Sequence, residues 1–254
     1  LDGSLRLTVD DLSRAPFLEG SGIQGKGVVS ALVKADGMSR SVLADVKGRL
    51  QGVGPVPAGL RTLLGEGGDF QGLISLQEGR RVQVARFRMA LPATELSVEG
   101  EADLVEETGR ASIQADIPDL GVLSSLAGRS VAGEAVVRAE VRGPFAEPGA
   151  DVRVTARDVE VEGVSVQEVR ASFETGRLLP APAGRLRVEL IRGDEIVAAR
   201  ADVTVHTPLV EMKNMSVEGA GARASGGLIV HSRSGTVGGD LNGSVQDLAP
   251  VGAL

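Results

Sequence analysis

Apolar and polar residues alternate one for one along much of this chain, most regularly between residues 151 and 175. Val152, Val154 and Ala156 alternate there with Arg153 and Thr155. In a β-strand, successive side chains point to opposite faces, so this period predicts strands with one apolar and one charged face. Strands of that kind are typical of antiparallel sheets with water on one side.

The alternation continues to residue 206 and predicts an apolar surface shared by several strands. We predict an all-β fold, namely an elongated, curved, mostly antiparallel sheet whose concave apolar face forms a groove. The residues predicted to line this groove are Val152, Val154, Ala156, Val166, Ala171, Phe173, Leu186, Val188, Leu190, Val203 and Val205.

Only two segments have a helical pattern, and both are short, so we expect two or three short helical turns in all. Residues 119–128 begin with Asp119, a favoured N-cap, and end with Gly128, which suits the left-handed position after a helix. Residues 57–65 begin with Pro57 and end with Gly65, as a two-turn helix does.

The strand and turn around Asp119 occur three times in related form. The matched positions are Leu5, Val9, Asp11, Leu12 and Leu18, then Ile113, Ile117, Asp119, Leu120 and Leu126, and then Leu241, Val245, Asp247, Leu248 and Leu254. In the first two copies, Gly20 and Gly25 also match Gly128 and Gly133. We therefore predict one continuous repetitive β region over residues 1–254, with repeats beginning near residues 1, 110 and 235. Because it begins in a strand-like pattern, we expect the chain to be a segment of a longer protein.

The composition disfavours nucleic-acid binding and disulfide chemistry. The chain has no Trp, no Tyr and five Phe, so most of its apolar surface comes from Val, Leu, Ala and Ile. Its net charge of −7 comes from interspersed acids and bases, with no basic stripe along the sequence and few rings on which bases could stack. The absence of Cys excludes disulfides and thiolate metal sites. We expect no nucleic-acid partner.

The candidate catalytic motifs are weak, and we expect neither an enzyme nor a cofactor or metal site. The segment from Gly20 to Gly27 matches GxGxxG, but Gly27 replaces the hydroxyl residue of a phosphate-binding loop and a strand-like segment follows. His206 and His231 have no partner at metal-ligand spacing. Carboxylate pairs fall in turns or on charged faces. Asp119 and its two repeats are better explained as N-caps than as calcium ligands.

A strand ending in Asp-Leu, a short turn, a glycine-led strand, then Gly-Pro and another strand describe residues 116–163. This pattern resembles the TamB family of translocation and assembly module proteins, and more loosely the AsmA-like proteins, over the whole chain. The resemblance implies a periplasmic segment of a protein anchored in the inner membrane of a Gram-negative bacterium, with the anchor outside this segment. It also implies a β-taco groove that conducts phospholipid between the inner and outer membranes. Support of outer-membrane assembly, with a TamA-like barrel of the Omp85 type as partner, is implied as well.

The residues alone leave three uses of the apolar face open. Small branched side chains bind acyl chains by non-directional burial, worth about 0.8 kcal/mol per methylene. The same face could instead close on another sheet, as the core of a β-sandwich used as an adhesion or structural module. In a third reading, the chain is a scaffold or chaperone whose sheet edge pairs with strands of outer-membrane β-barrel proteins. The lipid groove is the favoured interpretation.

Overall fold

The computed structural model of the chain describes residues 2–9, 24–54, 67–124, 128–178, 181–206, 208–231 and 235–245. The chain divides into two compact units, Leu1–Ala132 and Gly133–Leu254. The described residues are mostly β-strand, and the predicted all-β, antiparallel fold is confirmed. The prediction of one continuous repetitive region stays a prediction.

Unit 1 contains seven described strands that pair antiparallel in chain order. They are β1 Asp2–Val9, β2 Gln24–Asp36, β3 Ser41–Gly54, β4 Gly67–Gln77, β5 Arg81–Leu91, β6 Thr94–Asp103 and β7 Thr108–Ile117. Each strand therefore lies beside the strands that precede and follow it in sequence, which is the arrangement of a meander.

The strands of unit 2 are also arranged in chain order. The first of them, β8, begins at the unit boundary and lies next to β9. Its strands are β8 Val131–Pro144, β9 Gly149–Val161, β10 Val164–Arg177, β11 Ala183–Arg192, β12 Glu195–His206, β13 Leu209–Gly219, β14 Ala222–His231 and β15 Thr236–Val245. Strands β9 to β15 pair antiparallel in chain order.

Two-residue turns join some of these strands. Glu162 and Gly163 connect β9 to β10, and both have positive φ, at 50° and 84°. Ala220 and Gly221 do the same between β13 and β14, at 48° and 70°. Two successive left-handed residues form a type I′ turn, whose twist matches that of the flanking strands. Such turns fix the register of each hairpin.

In each unit the described apolar face has no second layer packed against it. The extensive contacts between elements join strands that are adjacent in the chain. Among the described residues no large side chain is fully buried, and the most buried apolar residues include small ones such as Ala135 and Ala150, which are 5% and 6% exposed. A closed sandwich would bury large side chains from both sheets. The curvature that would turn these open faces into a groove stays a prediction.

The described part of the helix predicted over residues 119–128 is a 3-10 helix, Leu120–Leu123. Asp119 caps it as predicted, because its Oδ1 accepts a hydrogen bond from the Gly121 N–H at 2.7 Å. Gly128 has the predicted left-handed conformation, with φ of 65°. The predicted turn at residues 57–65, and those of the first and third repeats, lie outside the described residues. None of the helical structure described for this chain is long and apolar enough to cross a membrane.

The three repeats predicted from the sequence correspond to three strand ends. Strands β1, β7 and β15 end at Val9, Ile117 and Val245, which are matched positions in the repeat. Six strands separate the first end from the second, and eight separate the second from the third. The long and unequal repeat period therefore reflects different numbers of intervening hairpins.

Candidate apolar binding face

The apolar residues of unit 2 form rows that run across the sheet, because directly paired residues of neighbouring strands share a face. In one row Val154 pairs with Ala171, and Ala171 pairs with Val188. Val188 pairs in turn with Ala199, and Ala199 with Val217. With strands about 4.8 Å apart, this row of five strands is about 19 Å long.

The rows on either side of this one are also apolar, and together they form what we call the unit 2 apolar face. One contains Val152, Phe173, Leu186 and Ala201, a second Ala156, Val169, Leu190 and Val197, and a third Val203, Met212 and Leu228, with Val205, Val210 and Val230 beyond it. The face remains partly open to solvent, since Leu190 is 37% exposed.

Ten of the eleven residues predicted from the sequence belong to these paired rows, and the prediction for Val166 stays a prediction. Val166 pairs with Val159, and the neighbouring pair on the same two strands is Glu168 with Arg157. Between these pairs Asp158 has φ of 50°, and the apolar positions change from even to odd on both strands. Simple alternation counted from Ala171 therefore does not fix the face of Val166.

Sequence reasoning missed the apolar residues that follow a bulge. Asn214 has φ of 49° and lies where β13 shifts its register against both neighbours, so Met212 and Val217 share a face although they are five residues apart. Arg86, with φ of 71°, has the same effect in β5 between Val84 and Phe87. The sequence signal for each bulge is that the apolar residues change from even-numbered to odd-numbered positions partway along the strand.

Unit 1 carries an apolar face of the same kind, which the sequence prediction did not include. Paired residues place one row across β1 to β7, in which Gly72 lies opposite the β5 bulge at Arg86 and Phe87. The row contains Leu5, Ala31, Val46, Gly72, Phe87, Val98 and Ile113. The apolar surface is therefore a property of both units rather than of residues 152–205 alone.

One polar side chain lies at the border of the unit 2 apolar face without interrupting it. Thr175 is 5% exposed, and its hydroxyl oxygen lies 2.7 Å from the carbonyl oxygens of both Arg177 and Ala183. The same oxygen accepts a hydrogen bond from the Arg177 N–H. The hydroxyl is thus bound to the backbone at the β10 bulge and is not presented to a ligand.

The opposite face of each unit is charged and carries ion pairs across or along the strands. Arg49 Nε lies 2.6 Å from Asp69 Oδ1, and this contact lowers the pKa of Asp69 and raises that of Arg49. Arg170 similarly lowers the pKa of Glu168 through a hydrogen bond. Both arrangements stabilise the charged forms, so neither carboxyl is held in the protonated state that general acid catalysis requires.

The concavities described in unit 1 open on this charged face, not on the apolar one. One is lined by residues that include Gln83, Glu101 and Arg110. A larger one lies over strands β1 to β6. The concave apolar face predicted from the sequence stays a prediction.

The described residues contain no group of His, Asp and Glu suited to a metal ion. His206 is exposed at the end of β12, and His231 ends β14. Asp119 serves as a helix cap, as expected. The glycine-rich segment from Gly20 to Gly27 lies largely outside the described residues.

In comparisons with known proteins, no family model, no curated protein and no solved structure matches this chain. The resemblance to the TamB family therefore rests on the sequence pattern alone. The fold is all-β.

Proposed function

We propose that this chain is a non-enzymatic periplasmic segment of a TamB-like envelope protein that holds phospholipid acyl chains on its apolar faces. In this role it conducts phospholipid between the inner and outer membranes and supports outer-membrane assembly. The observation that carries the proposal is the unit 2 apolar face, whose apolar rows continue from strand to strand with no covering layer among the described residues.

The dimensions and chemistry of the face suit an acyl chain. The row through Val188 is about 19 Å long, whereas one leaflet of a bilayer core is about 15 Å thick. Each methylene buried against such a surface gains about 0.8 kcal/mol, without a directional contact that would hold it at one place. Weak contacts repeated along the sheet favour movement of a lipid over its retention.

The proposed partner is an outer-membrane barrel of the Omp85 type, similar to TamA, and the proposed location is the periplasm. The sequence pattern supports both. The unequal hairpin numbers between repeats are compatible with a sheet that lengthens by whole hairpins, as a bridge between two membranes requires.

Val188→Glu tests the lipid proposal most directly. Val188 lies at the centre of the unit 2 apolar face. A lipid bound there would remove water from the carboxylate that the substitution introduces, which is unfavourable, so lipid binding should weaken. We expect the purified chain, expressed in a bacterial periplasm, to carry phospholipid in native mass spectrometry and lipid extracts. The Val188→Glu variant should lose most of it while its circular dichroism spectrum stays unchanged.

Arg187→Glu is the matched control for this variant. Arg187 is the neighbouring residue of β11, points to the charged face and pairs directly with Arg200, so a carboxylate removes a like-charge pair. Lipid should co-purify with Arg187→Glu as it does with the unchanged chain. A folded chain that carries no lipid, or equal lipid loss in both variants, would contradict the proposal.

A second candidate function is favoured by β15, which among the described strands pairs with β14 alone. Strand β15 pairs with β14, and all ten of its residues are exposed. It has one charged residue, Asp240, and no proline, so it lacks the usual features that prevent edge pairing. Such an edge suits a scaffold or chaperone that pairs with strands of outer-membrane proteins. Binding of a strand peptide that persists in Val188→Glu would favour this function over lipid conduction.

A further inference from the structure

The charged face of unit 1 contains a row of cations that is not visible along the sequence. Arg6 pairs with Ser30, and Ser30 pairs with Lys47. Lys47 pairs with Gln71, which pairs with Arg88. Directly paired residues share a face, so three cations from β1, β3 and β5 stand in one line with short or neutral side chains between them.

This row contains no carboxylate across the seven strands of unit 1. Beyond Arg88 it continues through Ser97 to Gln114. The chain as a whole has a net charge of −7, so a line of cations without an acid is a local departure from the average. Among the described residues, Arg6, Lys47 and Arg88 form none of the ion pairs that occupy the other arginines of this face.

This row of residues lines a concavity of about 700 Å³. Its lining includes Arg6, Ser30, Lys47, Gln71 and Arg88. Cations two strands apart have backbones about 10 Å from each other, and long side chains from that distance can converge on one group between them. Arg6 and Arg88 are four strands, or about 19 Å, apart, so the three cations together suit an anion with more than one phosphate or several headgroups. The neutral Ser and Gln offer further hydrogen bonds at the floor.

The charges around the concavity leave an excess of positive charge. Arg49 and Asp69 also line it, but they are bound to each other through two hydrogen bonds of 2.6 and 3.0 Å. Glu95 is the other carboxylate of the lining. Three unpaired cations therefore face one acid, which attracts anions and disfavours cations.

We infer that this concavity binds a phosphate-bearing anion between Arg6, Lys47 and Arg88. Arginine forms paired hydrogen bonds with phosphate oxygens, and lysine adds a mobile positive charge. The site is independent of the proposed acyl-chain function, because the sheet itself separates it from the apolar face of unit 1. The phosphate could belong to a soluble oligophosphate or to lipid headgroups at a membrane surface.

The test uses the full chain with two probes, inorganic tripolyphosphate and vesicles of phosphatidylglycerol, with phosphatidylcholine vesicles as reference. A triple variant, Arg6→Gln, Lys47→Gln and Arg88→Gln, should weaken binding at least about tenfold. The control triple variant, Arg110→Gln, Arg185→Gln and Arg223→Gln, makes the same charge change at arginines that lie 3.0, 3.7 and 4.0 Å from Glu101, Glu174 and Glu218. Its binding should change less than about threefold.

Each outcome separates the possibilities. Tripolyphosphate binding that only the first triple variant loses assigns the site to soluble phosphates. Binding of phosphatidylglycerol vesicles alone, with the same sensitivity, assigns it to lipid headgroups. No binding of either probe at low ionic strength, or equal losses in the two triple variants with unchanged circular dichroism, would overturn the inference.

Discussion

At the residue scale, three of the five phenylalanines lie over glycines of a neighbouring strand. A Cβ on Gly48 would lie 2.5 Å from Phe70 Cζ, and one on Gly184 would lie 3.0 Å from Phe173 Cζ. Gly72 has the same relation to Phe87, whose ring stacks on Phe70 with centroids 5.6 Å apart. Each ring therefore lies across the sheet and covers the backbone of the neighbouring glycine.

Gly72→Ala should disturb this arrangement. The new Cβ would lie 2.8 Å from Phe87 Cδ2 and 3.1 Å from Phe87 Cα, so the ring or the strand must shift. We expect the free energy of unfolding in urea to fall by about 1–3 kcal/mol. Gly238→Ala is the control, because no atom lies within 4 Å of its added Cβ, and its effect should stay within about 0.5 kcal/mol. Equal effects of the two substitutions would contradict this packing role.

At the element scale, hydrogen bonds join the turns of two hairpins in unit 1, β4–β5 and β6–β7. The Leu104 N–H, in the turn after β6, donates to the Arg80 carbonyl in the turn after β4, at 2.8 Å. Arg80 Nη2 also donates to Asp103 Oδ2 at 2.6 Å, while Asp103 Oδ1 accepts from the N–H groups of Val105 and Glu106. The Asp103 carboxylate thus closes the turn between β6 and β7 and also binds the turn between β4 and β5.

The Asp103 contacts predict a pH dependence of stability. The Arg80 hydrogen bond, with help from the backbone N–H groups, lowers the pKa of Asp103 from 3.8 to about 2. The unfolded chain therefore takes up the proton first as pH falls, so this stabilisation is complete above about pH 5 and is lost towards pH 2. Asp103→Asn should unfold at lower urea than the unchanged chain at neutral pH, and the difference should shrink as pH falls from 5 to 2.

Glu107→Gln is the control for this titration. Glu107 lies in the same turn, is exposed, and has no ion pair among the described residues. Its urea midpoints should follow those of the unchanged chain at every pH. If Asp103→Asn shows a constant difference from pH 7 to pH 2, the carboxylate does not have the role that its contacts indicate.

At the scale of the whole molecule, a sheet whose strands pair in chain order can change length by whole hairpins. Strand β11 and strand β14 run in opposite directions, as neighbours in an antiparallel sheet do. Removal of the two strands between them leaves this relation intact. Removal of one strand would leave two parallel strands joined by a short turn, which cannot pair.

Deletion of residues 195–219, which contain β12 and β13, should therefore give a folded chain. Deletion of β12 alone, Glu195–His206, should not preserve unit 2. We expect the first deletion to retain the β-sheet circular dichroism and a cooperative unfolding transition, and the second to lose cooperativity or aggregate. If both deletions behave alike, the sheet does not tolerate changes by hairpin in the way the repeats suggest.

Much of the fold could be predicted from local sequence. Alternation identified the strands, the antiparallel class and ten residues of the unit 2 apolar face, because side-chain direction in a regular strand depends on the position along it. The cap at Asp119 and the left-handed Gly128 were predicted for the same reason, since both depend on neighbouring residues. The function was not settled in this way and stays a proposal.

What the tertiary structure decided is which residues stand opposite each other. The register between similar strands is weakly specified by the sequence, because several pairings satisfy the same alternation. Only pairing showed that a bulge at Asn214 returns Val217 to the face of Met212. It also brought Arg6, Lys47 and Arg88 into one row. In the sequence these cations are interspersed among acids, and only hydrogen bonding between strands aligns them.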